Sequence, residues 1–249
     1  MAKFIPLHIH SEFSLLDGTI RIGDLVNYAK ENELPAIAVT DHGVMYSAIE
    51  FYEKAKEAGI NPLIGCEFYV HDGDIHVHDN SHNPLYHLIL ICKDAKGYAN
   101  LIKLVSTAWC EGFYYKPRIN FELLKEHHEG LICASACLGG EVLQNLLKGD
   151  YAKAKETAQR YKDLFGDDYY IELQDHNLED QKRTNPDLIK IAKELNIKMI
   201  ITNDSHYLRR EDADAQDTLL CLQTNADKDD PNRFHFPNNE FYIKSKEDA

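Results

Sequence analysis

The feature that most constrains the fold is the regular alternation of short apolar runs with amphipathic segments along the chain. Strands that alternate with helices usually form parallel βαβ units, so this pattern predicts an α/β fold with a parallel sheet. The predicted strands are Phe4–Ile9, Ala36–Thr40, Leu63–Val70, Tyr86–Cys92, Gly130–Ser135, Tyr169–Leu173 and Lys198–Thr202. The predicted helices are Ile22–Asn32, Ser47–Ala58, Gly97–Trp109, Phe121–His127, Gly140–Leu147, Tyr151–Leu164, Gln181–Leu195 and Glu211–Leu222.

Seven predicted strands in a chain of 249 residues favour a closed barrel of the TIM type over an open doubly wound sheet. No glycine-rich phosphate-binding motif follows any predicted strand, which counts against a nucleotide-binding open sheet. Two polar, turn-rich segments, His71–Pro84 and Asn225–Pro237, are predicted to be exposed loops. We therefore expect a single domain that covers residues 1–249.

Composition and charge restrict the classes of function. The chain has 27 Lys and Arg against 41 Asp and Glu, a net charge of −14, which excludes binding of nucleic acid through an overall positive field. A nucleic-acid enzyme whose positive charge is local, such as bound metal, stays possible. The six cysteines form no CxxC pair, and no segment resembles a signal peptide or a membrane span. We expect a reduced, cytoplasmic protein without a membrane partner.

Residues with metal-ligand chemistry lie in the predicted strands or directly after them. In a parallel barrel the carboxyl ends of all strands meet at one face, and side chains two apart on a strand point the same way. His87 is the exception, because it opens the fourth strand: that strand begins earlier or bends, or His87 is not a ligand. The other residues of this kind are His8, His10, Asp41, His42, Glu67, Cys137, Asp204 and His206.

Each of these residues also has an ordinary structural explanation. Asp41 is suited to cap a helix, and a cysteine such as Cys137 is often a small buried apolar residue. A second His-x-His, at His76 and His78, lies in a polar loop and is expected to be surface. A buried, isolated Glu67 would need a partner or a metal. Imidazole and thiolate suit zinc and carboxylates can bridge two ions, so together the residues predict a polynuclear metal site.

Five motifs, taken together and in order, point to a known family. They are His8–Gly18, Ala38–Gly43, Gly112–Ile119, Thr202–Tyr207 and Asp229–Pro231. In this set the chain resembles, essentially from end to end, the PHP (polymerase and histidinol phosphatase) domain of bacterial replicative DNA polymerase III alpha subunits. The resemblance implies the PHP fold, a distorted seven-stranded (β/α)7 TIM-like barrel with a metal cleft at the C-terminal ends of the strands.

The resemblance also implies a site for up to three divalent metal ions, which could be zinc, manganese or iron. It adds Asp17, which the strand pattern alone leaves in a loop. One ion would bind His8, His10, Glu67 and Asp204; a second would share Glu67 and add His87 and Cys137; a third would bind Asp17, His42 and His206. All nine positions carry residues able to bind metal, which argues for retained chemistry.

The activity implied by the resemblance is metal-dependent hydrolysis of DNA phosphodiester bonds, as a 3′→5′ exonuclease in proofreading. Glu67, Asp204 and His10 would be the catalytic residues around an activated water. Lys116 and Arg118 are candidates for phosphate contact, although an exposed positive turn explains them equally well. The acidic chain should bind a DNA 3′ end only weakly and depend on a polymerase body in cis.

Two alternatives stay open, and a third is set aside. The first is a non-catalytic scaffold that stabilises the polymerase and docks a separate proofreading exonuclease. The second is a small-molecule phosphatase of the PHP superfamily. The third, an amidohydrolase barrel, also opens with His-x-His but needs a lysine or two further histidines at later strand ends, which are absent. Polymerase subunits of this family continue far beyond this length, so a fragment, a designed or reconstructed domain, and a free-standing protein are all compatible.

Overall fold

A computed structural model of the chain describes residues 4–78 and 84–245. In these residues it has seven strands and eight α-helices, which confirms the predicted α/β fold class. The strands are β1 (Ala36–Val39), β2 (Asn61–His71), β3 (Leu85–Cys92), β4 (Arg118–Ile119), β5 (Leu131–Ala134), β6 (Tyr169–Leu173) and β7 (Lys198–Ile201). The helices are α1 (Ile22–Glu31), α2 (Ala48–Glu57), α3 (Ala95–Cys110), α4 (Phe121–His127), α5 (Glu141–Leu147), α6 (Tyr151–Phe165), α7 (Glu179–Glu194) and α8 (Ala213–Thr224).

The residue contacts divide the chain into two compact units. Unit 1 consists of Met1–His42, Tyr46–Ile64 and Thr202–Ala249, and unit 2 of Gly43–Met45 and Gly65–Ile201. The expected single domain over residues 1–249 stays a prediction. Within the described part of the chain, no helix has the length and apolar character needed to cross a membrane.

Unit 1 contains β1, the start of β2 and the helices α1, α2 and α8. β1 pairs in parallel with the first residues of β2, from Asn61 to Ile64. Helix α1 buries residues at helical spacing, and these pack with β1 and α2 in one apolar cluster. The fully buried members of this cluster are Ile9, Ile20, Ile22, Leu25, Val26, Ala29, Ile37, Val39, Phe51, Ala55, Ile60 and Ile243.

The predicted first strand, Phe4–Ile9, is wrong as a regular strand. The segment is extended, but only Ile9 forms a bridge, to Ser205. On its other side, the Ile9 amide donates to the hydroxyl of Thr40 rather than to a backbone carbonyl (3.0 Å), while the Thr40 amide donates to Ile9 O (2.9 Å). The side-chain hydroxyl therefore replaces one bond of a regular β-ladder, and apolar patterning does not report such a substitution.

Unit 2 contains the helices α3–α7 and the strands that follow Gly65. The predicted all-parallel arrangement is wrong for β3, which is antiparallel to both β2 and β5. A parallel neighbour of β2 would need a long crossover, and the described residues between β2 and β3 contain no helix. The remaining pairs, β2 with β4, β5 with β6, and β6 with β7, are parallel. The two-residue β4 was not predicted because it is too short to show a pattern.

The two predicted loops are largely as expected. His71 is the last residue of β2 and is buried, whereas residues 72–78 form turns that are mostly exposed. Residues 79–83 of this predicted loop lie outside the described residues. The segment Asn225–Pro237 contains no helix or strand and is mostly exposed.

Two glycines, each in the first turn of a helix, provide a matched test of packing. A Cβ at Gly97 in α3 would lie 1.8 Å from the carbonyl oxygen of Gly130, whereas at Gly23 in α1 the nearest atom is Lys54 Nζ at 3.8 Å. We expect Gly97→Ala to lower the free energy of unfolding by about 3 kcal/mol or more, because backbone must move. Gly23→Ala should raise it by about 0.5–1 kcal/mol.

Urea unfolding followed by circular dichroism measures both values. Equal stability of the two variants would contradict the close approach of α3 to the Gly130 turn.

Candidate metal centre

The closest group of potential ligands in unit 1 is formed by His8, His10 and Asp204. The Nε2 atoms of the two histidines are 3.1 Å apart, and each lies 3.1 Å from Asp204 Oδ1. All three residues are buried. Two imidazole nitrogens and a carboxylate oxygen therefore converge on one point.

Backbone geometry positions these side chains. The amide of His10 donates to Ser205 O (2.8 Å) and the amide of Ser205 donates to His8 O (3.1 Å), so the two segments lie side by side. Asp204 has φ +45°, an uncommon conformation for a residue other than glycine. Its carbonyl accepts a hydrogen bond from His206 Nδ1 (2.8 Å), which leaves the His206 Nε2 lone pair available to a metal.

A second group in unit 1 contains Asp17, His42 and His206. Asp17 Oδ2 lies 3.0 Å from His42 Nε2 and 3.7 Å from His206 Nε2. The ring of His10 stacks on both histidines, with centroid distances of 3.9 Å to His42 and 4.4 Å to His206. One nitrogen from each of these three histidines lies within 4.8 Å of the others. The two groups are thus adjacent and share His10 as a neighbour.

The carboxylates of both groups are held in the ionised form. Burial alone would raise the pKa of the Asp204 carboxyl, but the charges of His8 and His206 hold that pKa well below its ordinary value. Burial would also raise the pKa of Asp17, and His206 and His42 likewise hold it below its ordinary value. Metal ligands must be deprotonated, so both carboxyls are ready to bind a cation at neutral pH.

Asp41 holds the ligand His10 through a buried hydrogen-bond network. Its carboxylate accepts hydrogen bonds from the Ser11 amide (2.7 Å) and from the hydroxyls of Ser11 (2.9 Å), Ser14 (2.9 Å) and Ser47 (2.8 Å). Because the Ser14 hydroxyl donates to Asp41, its oxygen accepts from His10 Nδ1 (3.1 Å). That tautomer makes Nε2 the His10 nitrogen that would bind a metal.

Unit 2 contains a separate ligand group of Glu67, His87 and Cys137. Glu67 Oε1 is 3.0 Å from His87 Nδ1 and 3.8 Å from Cys137 Sγ, and the sulfur is 3.4 Å from His87 Nδ1. Glu67 is almost fully buried. The antiparallel direction of β3 explains His87, because the start of β3 lies beside the carboxyl ends of β2 and β5.

Small residues make room for this group. A Cβ at Gly139 would lie 2.9 Å from the His87 ring, and the His87 amide donates to Gly139 O (2.9 Å). Ala136 has φ +62°, so the chain reverses after β5 and Cys137 follows that reversal. The Ala136 amide donates to the buried carboxylate of Glu172 (3.0 Å), which fixes the turn.

The donor atoms fit divalent metal ions. Ligand atoms that share one zinc ion at about 2.0–2.3 Å in tetrahedral geometry lie about 3.3–3.8 Å apart, close to the spacings in the two groups that contain Asp204 and Cys137. Asp17 Oδ1 is buried and accepts no hydrogen bond from the described residues. An anionic oxygen without a donor is costly, and a bound cation would remove that cost.

The structure brings together all nine predicted metal ligands within their own units. Three histidine–carboxylate or histidine–thiolate groups form: His8, His10 and Asp204; His10, His42 and His206 with Asp17 beside them; and Glu67, His87 and Cys137. The predicted sharing of an ion between Glu67 and residues of unit 1 stays a prediction, as do the catalytic roles of Glu67, Asp204 and His10.

The two residues predicted to contact phosphate differ in their exposure to solvent. Lys116 is exposed, and its Nζ lies 5.2 Å from the centre of the Tyr69 ring. Arg118 is fully buried, and its guanidinium donates to the carbonyls of Gly112 (2.9 Å), Val77 (3.1 Å) and Ile75 (2.5 Å). A buried guanidinium with three carbonyl acceptors cannot meet a phosphate, so the predicted phosphate contact of Arg118 is wrong.

Ser14 and Gly139 are functional positions that the sequence analysis missed. Ser14 follows His10 by four residues, but the hydrogen bond between them depends on a turn that apolar patterning does not reveal. Gly139 matters only because the ring of His87 passes close to it. A serine or glycine in a loop carries no signal by itself.

Comparisons with known proteins find similar sequences and structures. A sequence model of the PHP domain matches residues 6–176. The chain is 46% identical over 249 residues to DNA polymerase III subunit alpha of Borreliella burgdorferi, with 99% of this chain and 22% of that protein covered. It is 47% identical over 255 residues to the subunit of the same name from Deinococcus radiodurans, with coverages of 99% and 19%. The chain thus spans about a fifth of the length of these relatives.

Among solved structures, the chain is similar to a two-domain protein from Bacteroides vulgatus described as containing a predicted PHP-like metal-dependent phosphoesterase. The TM-score is 0.51 at 18% identity, with 82% of this chain and 52% of that chain covered. At this identity the likeness shows the fold.

The hydrogen bonds of Asp41 give a testable role for a residue that is not itself a ligand. In Asp41→Asn, one acceptor oxygen becomes an amide donor, so Ser14 and the Nδ1 proton of His10 lose their fixed direction. We expect metal affinity of the chain to fall about 10–100-fold while the fold is retained.

Ser47→Ala is the matched control, since it removes a hydrogen bond to the same carboxylate (2.8 Å) without touching Ser14. Competition with a chelator of known affinity measures both constants. A chain with Asp41→Asn that binds metal as tightly as one with Ser47→Ala would refute the positioning role.

Proposed function

The chain belongs to the PHP domain family, and from that premise we propose that it is a metal-dependent phosphoesterase. We propose further that it hydrolyses DNA phosphodiester bonds from a 3′ end, as a 3′→5′ exonuclease. The observation that carries this proposal is the convergence of imidazole, carboxylate and thiolate donors in groups whose atoms lie within 4.8 Å of one another. Such mixed nitrogen, oxygen and sulfur sets suit zinc, manganese or iron.

We propose that the chain binds up to three ions, and that its nine ligands are divided among these ions as the family resemblance implies. Bound divalent ions lower the pKa of a coordinated water toward 7 and stabilise negative charge on attacking and leaving oxygens. In this proposal the catalytic roles belong to Glu67, Asp204 and His10, each acting on a coordinated water within its own ligand group. Their part is to hold that water with ionised oxygens and an unprotonated Nε2.

The chain's own residues prepare this chemistry. Ser14 and Asp41 keep the proton of His10 on Nδ1, and the Asp204 carbonyl keeps the proton of His206 on Nδ1. In both imidazoles Nε2 is thus the nitrogen that would bind a metal, and His8, His10 and Asp204 are buried. Lys116, which is exposed, is the proposed cationic contact for the substrate phosphate.

We also propose a place for the chain in a larger assembly. The relatives in which it spans about a fifth of the length are named DNA polymerase III subunit alpha. The proposal is that a polymerase body acts in cis and delivers a mispaired 3′ end to this domain for proofreading. A separate proofreading exonuclease that docks on this domain is the non-catalytic alternative.

Asp204→Asn tests the hydrolytic proposal. Loss of the anionic oxygen that faces His8 and His10 should lower the rate of nucleotide release from a 3′-labelled oligonucleotide by at least about 10²-fold, with unchanged circular dichroism. Asp229→Asn, which removes the same charge from an exposed loop residue, is the control. Full activity in the Asp204→Asn variant would rule out this site as the hydrolytic centre.

Metal content separates catalysis from a structural role. Elemental mass spectrometry of protein purified without chelator or histidine tag should find two to three ions per chain, as the family assignment predicts, and fewer in Glu67→Ala. Chelation should abolish hydrolysis with little change in Tm. A large fall in Tm, with no activity in the metal-loaded protein, would favour the scaffold alternative.

A further inference from the structure

Unit 2 carries a patch of exposed aromatic side chains at the end of α3 and in the loop that follows. The exposed fractions are 41% for Trp109, 46% for Phe113 and 73% for Tyr115. We call Trp109, Phe113, Tyr114 and Tyr115 the aromatic platform. Single exposed apolar residues are common, but several large exposed rings within seven residues are a concentration that usually marks a binding surface.

The rings of the platform are flat and ordered. Trp109 and Phe113 stack with centroids 5.2 Å apart and planes 14° apart, and Tyr114 stacks on His78 at 4.8 Å and 6°. The indole of Trp109 donates to Gly43 O (2.8 Å), which fixes the direction of its ring. Tyr115 is edge-on to Tyr114, with centroids 4.6 Å apart and planes 68° apart, so the platform consists of one stacked pair and one perpendicular pair of rings.

The loop that carries the platform is held in place from beneath. The guanidinium of Arg118 donates to the carbonyls of Gly112, Val77 and Ile75, and lies 5.4 Å from the centre of the Tyr114 ring. Tyr115 has φ +58°, a costly conformation for a bulky residue. The most exposed ring of the platform therefore belongs to a strained residue. The loop that contains this residue is held in place by the buried Arg118.

The platform continues to the metal-ligand group of unit 2 through a cation and a ring. Lys116, next to Tyr115, lies with its Nζ 5.2 Å from the centre of the Tyr69 ring. The Tyr69 ring in turn contacts the ligand His87 edge-on at 5.3 Å. A phosphate held by Lys116 would thus lie between the platform and His87.

We propose that the aromatic platform binds single-stranded nucleic acid, with bases stacked on Phe113 and Tyr115 and a backbone phosphate on Lys116. Exposed rings beside one cation match the alternation of flat bases and anionic phosphates, and base stacking tolerates any sequence. The inference rests on the proposed function and names its substrate class, an unpaired 3′ strand rather than a duplex end. It also gives this acidic chain a way to bind DNA with little electrostatic attraction.

Trp109 is the only tryptophan of the chain and reports binding directly. The experiment titrates the full chain with a twelve-residue oligothymidylate in chelator, so that no hydrolysis occurs, and follows Trp109 fluorescence and the anisotropy of a labelled strand. We expect saturable quenching. Phe113→Ala and Tyr115→Ala should each raise Kd at least about fivefold, the lower end of a lost base–aromatic stack.

Conservative and matched variants separate stacking from general apolar contact. Phe113→Leu should weaken binding as much as Phe113→Ala, and Tyr115→Phe should bind like the unaltered chain. Lys190 and Tyr151 form a similar cation–ring pair, with Nζ 4.6 Å from the ring centre, so Lys190→Ala and Tyr151→Ala serve as controls with unchanged Kd. Melting curves confirm that every variant is folded.

Three results would overturn the proposal. The first is an unchanged Kd in both alanine variants of the platform. The second is quenching of Trp109 fluorescence by a blunt duplex that equals the quenching by oligothymidylate. The third is a change in Trp109 fluorescence that depends on protein concentration alone, which would assign the surface to a second copy of the chain. Hydrolysis of bis(p-nitrophenyl) phosphate by the metal-loaded, unaltered chain is measured separately. Absence of this hydrolysis would count against the proposed function. The proposal for the platform would still be decided by the Kd values of the variants.

Discussion

The buried carboxylate of Asp41 is the interaction on which the candidate site of unit 1 depends. It accepts hydrogen bonds from Ser11, Ser14 and Ser47, and so ties the turn after His10 to the end of β1 and the start of α2. Burial raises the pKa of this carboxyl despite the opposing hydrogen bonds, so every one of those bonds counts toward keeping it ionised. The same network directs the proton of His10 to Nδ1. The side chain of Asp41 thus connects three segments of the fold and also orients a candidate metal ligand.

The site of unit 2 depends on a different constraint, the direction of β3. Had β3 been parallel to β2, its first residues would lie at the opposite edge of the strands from the carboxyl ends of β2 and β5. The antiparallel pairing places His87 opposite Tyr69, two residues beyond Glu67, and the turn after β5 adds Cys137. The same neighbourhood includes the aromatic platform, since Tyr69 lies between His87 and Lys116.

Most of the fold and most of the ligands were predictable because their signals are local. Within residues 4–78 and 84–245, all eight α-helices follow from apolar spacing, and six of the seven strands from short apolar runs. His8 with His10, and Asp204 with His206, stand two apart beside predicted strands, and their convergence was predicted from this spacing, although Asp204 has φ +45° and is not extended. Asp17 was found only through the family resemblance, because it lies in a turn. The all-parallel sheet, the strand Phe4–Ile9 and the role of Arg118 were wrong, since each depends on partners remote in sequence.

The sequence by itself determined which residues can act, because ligand chemistry, apolar periodicity and charge belong to the side chains and their order. Tertiary structure alone decided which of two nearby cations is available. Lys116 and Arg118 stand two apart in one motif, yet one reaches solvent and the other donates to three buried carbonyls. It also decided which nitrogen of His10 faces His8 and Asp204, because the other ring nitrogen hydrogen-bonds to Ser14. Such choices depend on distances between segments, which no local pattern encodes.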